Sequence, residues 1–326
     1  MNLSAYTNKN IVITGGAGYI GNAIVHALST ISCDIKLIVH TSQLPEELQN
    51  TQAKITFIQK DVTDQSFWSD ILDKTDYIFH LAGQTSSVYA NEHPQEDFEI
   101  NVLPIIRFVE YIKNISIKPV IIHAGTSTQL GYTESPIHDE SSKDNPITIY
   151  DINKLTAEKY LMYYACQLGG LATSLRLTNV YGPGSKSSKS DRGIVNKMIQ
   201  QALSNKPLTA YGTGEYIRDY IFIDDVVDAF LNAGEHIEKL SGKYFLIGTG
   251  TGHSILEMMT MIQEQVQTLT SFAVPINHIP MPEEISLIEK RNFIANSNSF
   301  QRKTNWKPSI PLEEGIKKTV EYYYNR

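Results

Sequence analysis

The sequence predicts an α/β fold, in which a doubly wound parallel sheet in the first half is joined to a smaller mixed α/β C-terminal domain. Two observations predict it. Short β-branched runs alternate with segments of helical apolar spacing through the first 180 residues, and such alternation builds a parallel sheet covered on both faces. The runs are also continuously apolar, as strands buried on both sides are. A chain of 326 residues holds one large domain or two modest ones with a sizeable core.

The elements follow in order. "NIVIT" (10–14) is the first strand, and the amphipathic "YIGNAIVHALSTI" (19–31) is the first helix. "IKLIV" (35–39), "KITFI" (54–58) and "YIFHLA" (77–82) supply three more strands. "FEINVLPIIRFVEYIKN" (98–114) has helical spacing and leads to the strand "PVIIHA" (119–124). A helix from about 152 to 168 and a strand "ATSLRLTNV" (172–180) come next. "YGPGSKSSKSDRG" (181–193), rich in Gly, Ser and Lys, reads as a loop and places a boundary near 180. "DYIFIDDVVDAFLNA" (219–233) repeats the strand-then-helix pattern, so the chain is expected to return to the first domain around 219–248.

Composition narrows the function. A net charge of −7 excludes a nucleic-acid partner, which requires a basic footprint. Cys33 and Cys166 form neither a metal-like pair nor a disulfide framework, so free thiols in a reducing cytoplasm and no metal are expected. "MNLSAYTNKN" lacks a basic region followed by an apolar one, so no signal peptide is expected. No apolar run approaches the ~18 residues that span a bilayer, so no membrane association is expected.

"VITGGAGYIG" sets Gly15, Gly18 and Gly21 between the first strand and the first helix. Glycine permits the tight turn and lets backbone N–H groups approach a pyrophosphate at the helix N-terminus, so this is a dinucleotide fingerprint on a Rossmann-type sheet. Residues 1–180 then form the dinucleotide-binding domain and 181–326 mainly the substrate domain. The second strand ends in "LIVHTSQ", without the acid that bonds the ribose of NAD. His40 and Thr41 donate hydrogen bonds and tolerate a phosphate there, which leans the expectation to NADP over NAD. Asp61 in "QKDVTD" either accepts from the adenine amino group or caps the next segment.

"ITIYDINKLTAEKYL" places Tyr150 and Lys154 on one helix face, a turn apart. An ammonium beside a phenol favours the phenolate, and a pair of that kind can exchange a proton near neutral pH. Upstream, "AGTSTQLGY" (124–132) puts Thr126, Ser127 and Thr128 in a row after a strand, as a turn, a site or both.

With these motifs the chain resembles the extended short-chain dehydrogenase/reductase family, in its nucleotide-sugar epimerase/dehydratase branch. The resemblance runs nearly the whole length, through "HLAGQTS" (80–86), Asn101 in "FEINV", "LRLTNVYGPG" (175–184), "PLTAYGTGEYIRDYIFIDDVVDAF" (207–230), "KYFLIGTG" (243–250) and "TNWKPSIPLEEGIKKTVEYY" (304–323). It implies that Tyr150 is the acid/base, that Lys154 bonds the nicotinamide ribose, and that Ser127 bonds the reacting oxygen. The implied cofactor set is Gly15, Gly18, Tyr19, Ile20, Gly21, His40, Thr41, Asp61, Val62, Leu81, Ala82, Gly83 and Asn101, with Tyr150 and Lys154. The implied substrate set is Thr85, Ser86, Ser127, Asn179, Arg192, Tyr211, Arg218 and Arg291. Asn179 and Arg218 would meet the diphosphate of a nucleotide sugar and Tyr211 the base, while Arg192 would reach the diphosphate or remain solvated. A homodimer through the helices near 101–114 and 151–168 is also implied.

Two departures matter. Relatives often carry Arg-x-Gly-Asp late in the chain, where "LIEKRNF" offers Lys290 or Arg291. The 4,6-dehydratases need an Asp–Glu pair after the catalytic hydroxyl, where Thr128 and Gln129 do not titrate. Cys33, Cys166, His80 and His123 are not expected to serve as an extra base for epimerisation at C3 or C5. A minimal Ser–Tyr–Lys set remains, suited to hydride transfer at C4. The expected reaction is reduction of a 4-keto-6-deoxy nucleotide sugar for surface-polysaccharide precursors, the alternative a 4-epimerase of the UDP-glucose/galactose type. A non-catalytic NADP-binding protein is the minor alternative.

Overall fold

The computed structural model describes residues 2–40, 51–184, 193–282 and 286–326. The first-half strands are β1 (Asn10–Thr14), β2 (Asp34–Val39), β3 (Lys54–Gln59), β4 (Tyr77–His80) and β5 (Val120–Thr126). After them come β6 (Ile137–His138), β7 (Leu171–Leu177), β8 (Asn179–Tyr181), β9 (Leu208–Tyr211), β10 (Ile217–Phe222), β11 (Lys243–Ile247), β12 (Gly252–Ser254), β13 (Ile276–Ile279) and β14 (Ile294–Ala295). Seven of them form one parallel sheet in the order β11-β7-β5-β4-β1-β2-β3. The order reverses between β1 and β4, and a doubly wound sheet opens its ligand crevice beyond the C-terminal strand ends at that reversal.

The helices of the first half are α1 (Tyr19–Leu28), α2 (Phe67–Ile71), α3 (Ser87–Glu92), α4 (Pro94–Asn101), α5 (Leu103–Ile112) and α6 (Ile149–Gln167). Those of the second are α7 (Ile194–Leu203), α8 (Ile223–Glu235), α9 (Ile237–Leu240), α10 (Ile255–Thr270), α11 (Asn298–Thr304) and α12 (Leu312–Tyr324). Successive strand side chains point to opposite faces, so each strand feeds two cores. Val12, Ile78 and Ile121 pack with Trp68, Phe108 and Leu161 under α2, α5 and α6. Ile11, Ile13, Phe79 and Ile122 pack with Ile24 and Phe230 under α1 and α8. This division is why the strands read as unbroken apolar runs.

Two segments differ from the sequence reading. The single helix expected over 98–114 is two, broken at Val102, because Pro104 has no N–H to continue the ladder. The run 172–180 divides at Thr178: β7 stays in the large sheet, while β8 pairs with β10 in a three-stranded sheet, order β12-β10-β8. The later chain therefore packs on the large sheet through α8, whose Phe230 meets Phe79, and joins it through β11 as the seventh strand. A short pairing of β14 with β6 ties 294–295 to 137–138, and so brings the 289–293 segment toward the end of β5.

Candidate active site

The turn from β1 to α1 lies against the end of β4. Gly15 has φ +67°, and a Cβ there would stand 2.8 Å from the Ala82 nitrogen. At Gly21 a Cβ would stand 2.3 Å from the Gly15 carbonyl oxygen, so neither position admits a side chain. Thr14 Oγ1 accepts from the Leu81 and Ala82 N–H groups at 3.1 and 3.2 Å, fixing one strand end to the other. Helix α1 starts after Gly18, whose place at the N-cap brings no side-chain cap, so the Tyr19, Ile20 and Gly21 amides open the helix. A bare backbone cradle at a helix N-terminus fits a dinucleotide pyrophosphate. The Tyr19 hydroxyl donates to the Gly182 carbonyl at 2.8 Å, so its side chain is tied to the residue after β8.

At the end of β2, His40 Nε2 lies 3.1 Å from Asp61 Oδ2. Burial pushes the Asp61 carboxyl up, but the Thr63 N–H and hydroxyl and His40 outweigh it and hold the group below its ordinary value. Asp61 therefore caps a local turn and pairs with His40 at once. Val62 packs on the core under α2 and α5, and Thr41 and Arg192 lie outside the described residues. Asn101 donates to the Gln84 carbonyl and to Asp97 at 2.9 Å each, with its own Oδ1 unpartnered beside Gly83.

Tyr150 and Lys154 stand a turn apart at the start of α6, where Thr148 caps the helix by accepting from the Asp151 N–H. Tyr150 is half-buried and Lys154 is buried. Burial lowers the Lys154 ammonium to about 8, against the opposing charges of Asp97 and Glu158. Lys154 Nζ bonds His123 Nε2 at 3.1 Å, and His123 Nδ1 bonds Ser174 Oγ at 3.0 Å. An ammonium only donates, so His123 accepts through Nε2 and carries its hydrogen on Nδ1. The His123 ring stacks on His80 at 6.0 Å, and His80 Nδ1 bonds Thr14 Oγ1 at 3.0 Å. A buried ladder thus joins Lys154 to the turn between β1 and α1.

Both rings are neutral: burial, aided by Lys154, takes His80 to about 3 and His123 well below its ordinary value. Above pH 6.5 folded and unfolded chains both hold them neutral. As pH falls from 6.5 toward about 3, the unfolded chain takes up protons that the folded His80 refuses, so stability is lost. Each ring contributes a slope approaching 1.4 kcal/mol per pH unit, roughly. Urea midpoints at about pH 6 and pH 5 are expected to fall with pH, and His80→Gln to remove about half of the slope. Equal midpoints would contradict the neutral ladder.

Asp97 is a candidate that sequence reasoning missed. It is fully buried behind Lys154 and accepts from Gln84, Asn101 and Asn153 at 2.8, 2.9 and 2.7 Å. Its four-residue spacing from Asn101 on α4 was the available signal.

The hydroxyl row divides its work. Thr126 caps a 3-10 turn over Ser127–Leu130 in a capping box with Gln129. Gln129 accepts from the Thr126 N–H at 2.9 Å and donates to Glu158 at 3.1 Å, so both ends of its amide are engaged. Ser127 is buried, and its Oγ accepts from Arg291 Nη2 at 3.3 Å. Asp151, buried beside Thr128, accepts from Thr148 Oγ1 at 2.7 Å.

The substrate candidates fall into three groups. Ser127 and Arg291 meet. Asn179 and Arg218 lie on the neighbouring strands β8 and β10, where Asn179 donates to the Asp219 carbonyl at 3.1 Å. The buried Arg218 donates to the carbonyls of Ile217, Glu289 and Arg291 and faces the Glu289 carboxylate at 3.8 Å. Tyr211 is exposed at the end of β9, Thr85 is exposed, and Ser86 Oγ caps α3 through the Tyr89 N–H. Among the described residues no cluster of three metal-ligating side chains occurs, and no helix is long and apolar enough to cross a membrane.

Known proteins are similar to this chain over nearly its whole length. A UDP-glucose 4-epimerase of Mycolicibacterium smegmatis is 28% identical over 319 residues, covering 97% of this chain and 98% of its own. A dTDP-D-glucose 4,6-dehydratase of Bos taurus is 26% identical over 324 residues, covering 97% of this chain and 88% of its own. The solved UDP-glucose 4-epimerase of Thermotoga maritima with UDP-glucose superposes with a TM-score of 0.85 at 30% identity, over 97% of this chain and 99% of that one. The model of the NAD dependent epimerase/dehydratase family matches residues 11–248. With a glycine turn on a seven-stranded parallel sheet and Tyr150 and Lys154 at its crevice, the chain belongs to the NAD dependent epimerase/dehydratase family.

Proposed function

We propose that the chain is a nucleotide-sugar 4-epimerase that retains NAD through its cycle. The observation that carries the reading is the pair after the catalytic hydroxyl. Thr128 does not titrate, and Gln129 is buried with its amide engaged by Thr126 and Glu158. The second acid–base pair of a dehydratase therefore has no place there, which weakens the likeness to the bovine enzyme. Similarity to two UDP-glucose 4-epimerases supports reaction at C4 and a UDP sugar.

The reductase expected from the sequence rested on a missing acid at the end of β2. Asp61, arriving from beyond β3, stands beside His40 at that end. An ionised carboxylate accepts from a ribose hydroxyl and repels a 2′-phosphate, so NAD fits better than NADP.

When bound, NAD supplies the acceptor and then the donor of the C4 hydrogen. Tyr150 takes the proton of the C4 hydroxyl and returns it to the oxygen after the 4-keto sugar has turned over. Ser127 donates to that oxygen, with Arg291 behind it polarising the hydroxyl. Lys154 keeps a positive charge near the phenol, and His123 holds it in place. Stoichiometric NADPH consumption on a 4-keto-6-deoxy nucleotide sugar would return the reading to a reductase.

A homodimer through α5 and α6 fits the exposed Ile152, Tyr160 and Tyr163 along α6, and a monomeric mass in sedimentation ends that part of the proposal. Cys33 and Cys166, both free, suit the cytoplasm.

A further inference from the structure

We infer that Arg291 makes the sugar end of the site selective for a uronic acid, a nucleotide-activated sugar with a carboxylate at C6. This rests on the C4 reading above. Arg291 is 4% exposed, and its guanidinium lies 4.8 Å over the Phe293 ring. Its Nη2 donates to Ser127 Oγ at 3.3 Å, while Nε and Nη1 have no partner among the described residues. Burial, and then the charge of Arg218, lower the group to about 10, which still leaves a cation at neutral pH. A buried cation with unfilled donors is costly, and a matching anion removes that cost.

The backbone that carries Arg291 is held on both sides. Arg218 donates to the carbonyls of Arg291 and Glu289, and the β14–β6 pairing holds the chain just beyond. No described carboxylate pairs with the guanidinium. Glu289 is turned to Arg218, and Asp151 accepts from Thr148 through Oδ2 while its Oδ1 is unpartnered. A guanidinium has five donor hydrogens, four of them in two parallel pairs along its edges, and Ser127 takes one. One edge therefore keeps two parallel hydrogens, the geometry that receives a carboxylate.

The position selects the carboxylate. Ser127 faces the C4 oxygen in the proposed reaction, and C5, which bears C6, is the neighbour of C4. The diphosphate lies beyond the pyranose ring, on the side of Asn179 and Arg218. A C6 carboxylate reaches a guanidinium seated on Ser127, and the unpartnered Asp151 oxygen is left to accept from a sugar hydroxyl. The competing account is a site already balanced at longer range by Asp151, which would show no preference for an acid sugar.

Calorimetric titration of the NAD-loaded protein with UDP-glucuronate, UDP-glucose and UDP tests this. UDP-glucuronate is expected to bind at least about tenfold tighter than UDP-glucose, with the same order in kcat/KM. Arg291→Met is expected to erase that preference while leaving UDP affinity within about twofold, and Arg291→Lys to keep part of it. Equal binding of the two sugars by the unaltered protein overturns the inference without any variant. So does an Arg291→Met protein that loses UDP as strongly as UDP-glucuronate, since that assigns the arginine to the diphosphate. Interconversion of UDP-glucose at C4 without an acid preference removes this inference alone. Failure of both sugars to bind or react removes the epimerase reading with it.

Discussion

Tyr150→Phe is expected to lower kcat by about three orders of magnitude, within the range that a positioned proton-transfer group contributes. The phenol stands at the first turn of α6, one turn before a buried lysine that burial brings to about 8. Removing one oxygen leaves the half-buried ring in place, so the fold and sugar affinity are expected to persist. KM should therefore change by only a few fold, roughly, while kcat falls, the pattern of an interaction made in the transition state. Initial rates with saturating nucleotide sugar check it. A Tyr150→Phe protein with a rate near that of the unaltered enzyme would assign the proton transfer elsewhere.

The second large effect is on stability. Arg176 is fully buried on β7 and grips the fully buried Glu158 of α6 with two bonds of 2.9 and 2.7 Å. Its third nitrogen meets Asp144 at 2.6 Å, and Tyr244 stacks 3.5 Å from the guanidinium. Glu158 also receives Gln129, so this network fastens the Ser127–Leu130 turn to the helix of Tyr150. Arg176→Met leaves a buried carboxylate unpaired, and the expected loss is about 3–5 kcal/mol of unfolding free energy. Arg176→Met with Glu158→Met should recover much of it, because neither charge is then stranded. Urea denaturation of the single and double variants decides the matter, and a single variant within about 1 kcal/mol of the parent would contradict this account of the network.

What was legible in the chain was local. The glycine turn and the Tyr150–Lys154 spacing each lie within one strand–helix step, and local periodicity places them without tertiary knowledge. The Thr126–Gln129 capping box also lies in one stretch, as a Thr followed three residues later by Gln, and makes Thr126 the cap. What was not legible depends on strands distant in sequence. His40 meets Asp61 because β2 and β3 run side by side. His80 meets His123 because β4 and β5 pair in register, His80 opposite His123. Arg291 reaches Ser127 across 164 positions through the β14–β6 pairing. The proposal of NAD over NADP rests on Asp61, a neighbour that the end of β2 does not show by itself.

The central claim is most directly tested by incubating the purified protein, without added cofactor, with each member of two C4 epimer pairs. These are UDP-glucose with UDP-galactose, and UDP-glucuronate with UDP-galacturonate. The account predicts that at least one pair converges on a single mixture from both sides, with no net change in reduced nicotinamide. No interconversion of either pair, together with stoichiometric loss of NADPH on a 4-keto-6-deoxy nucleotide sugar, would contradict it.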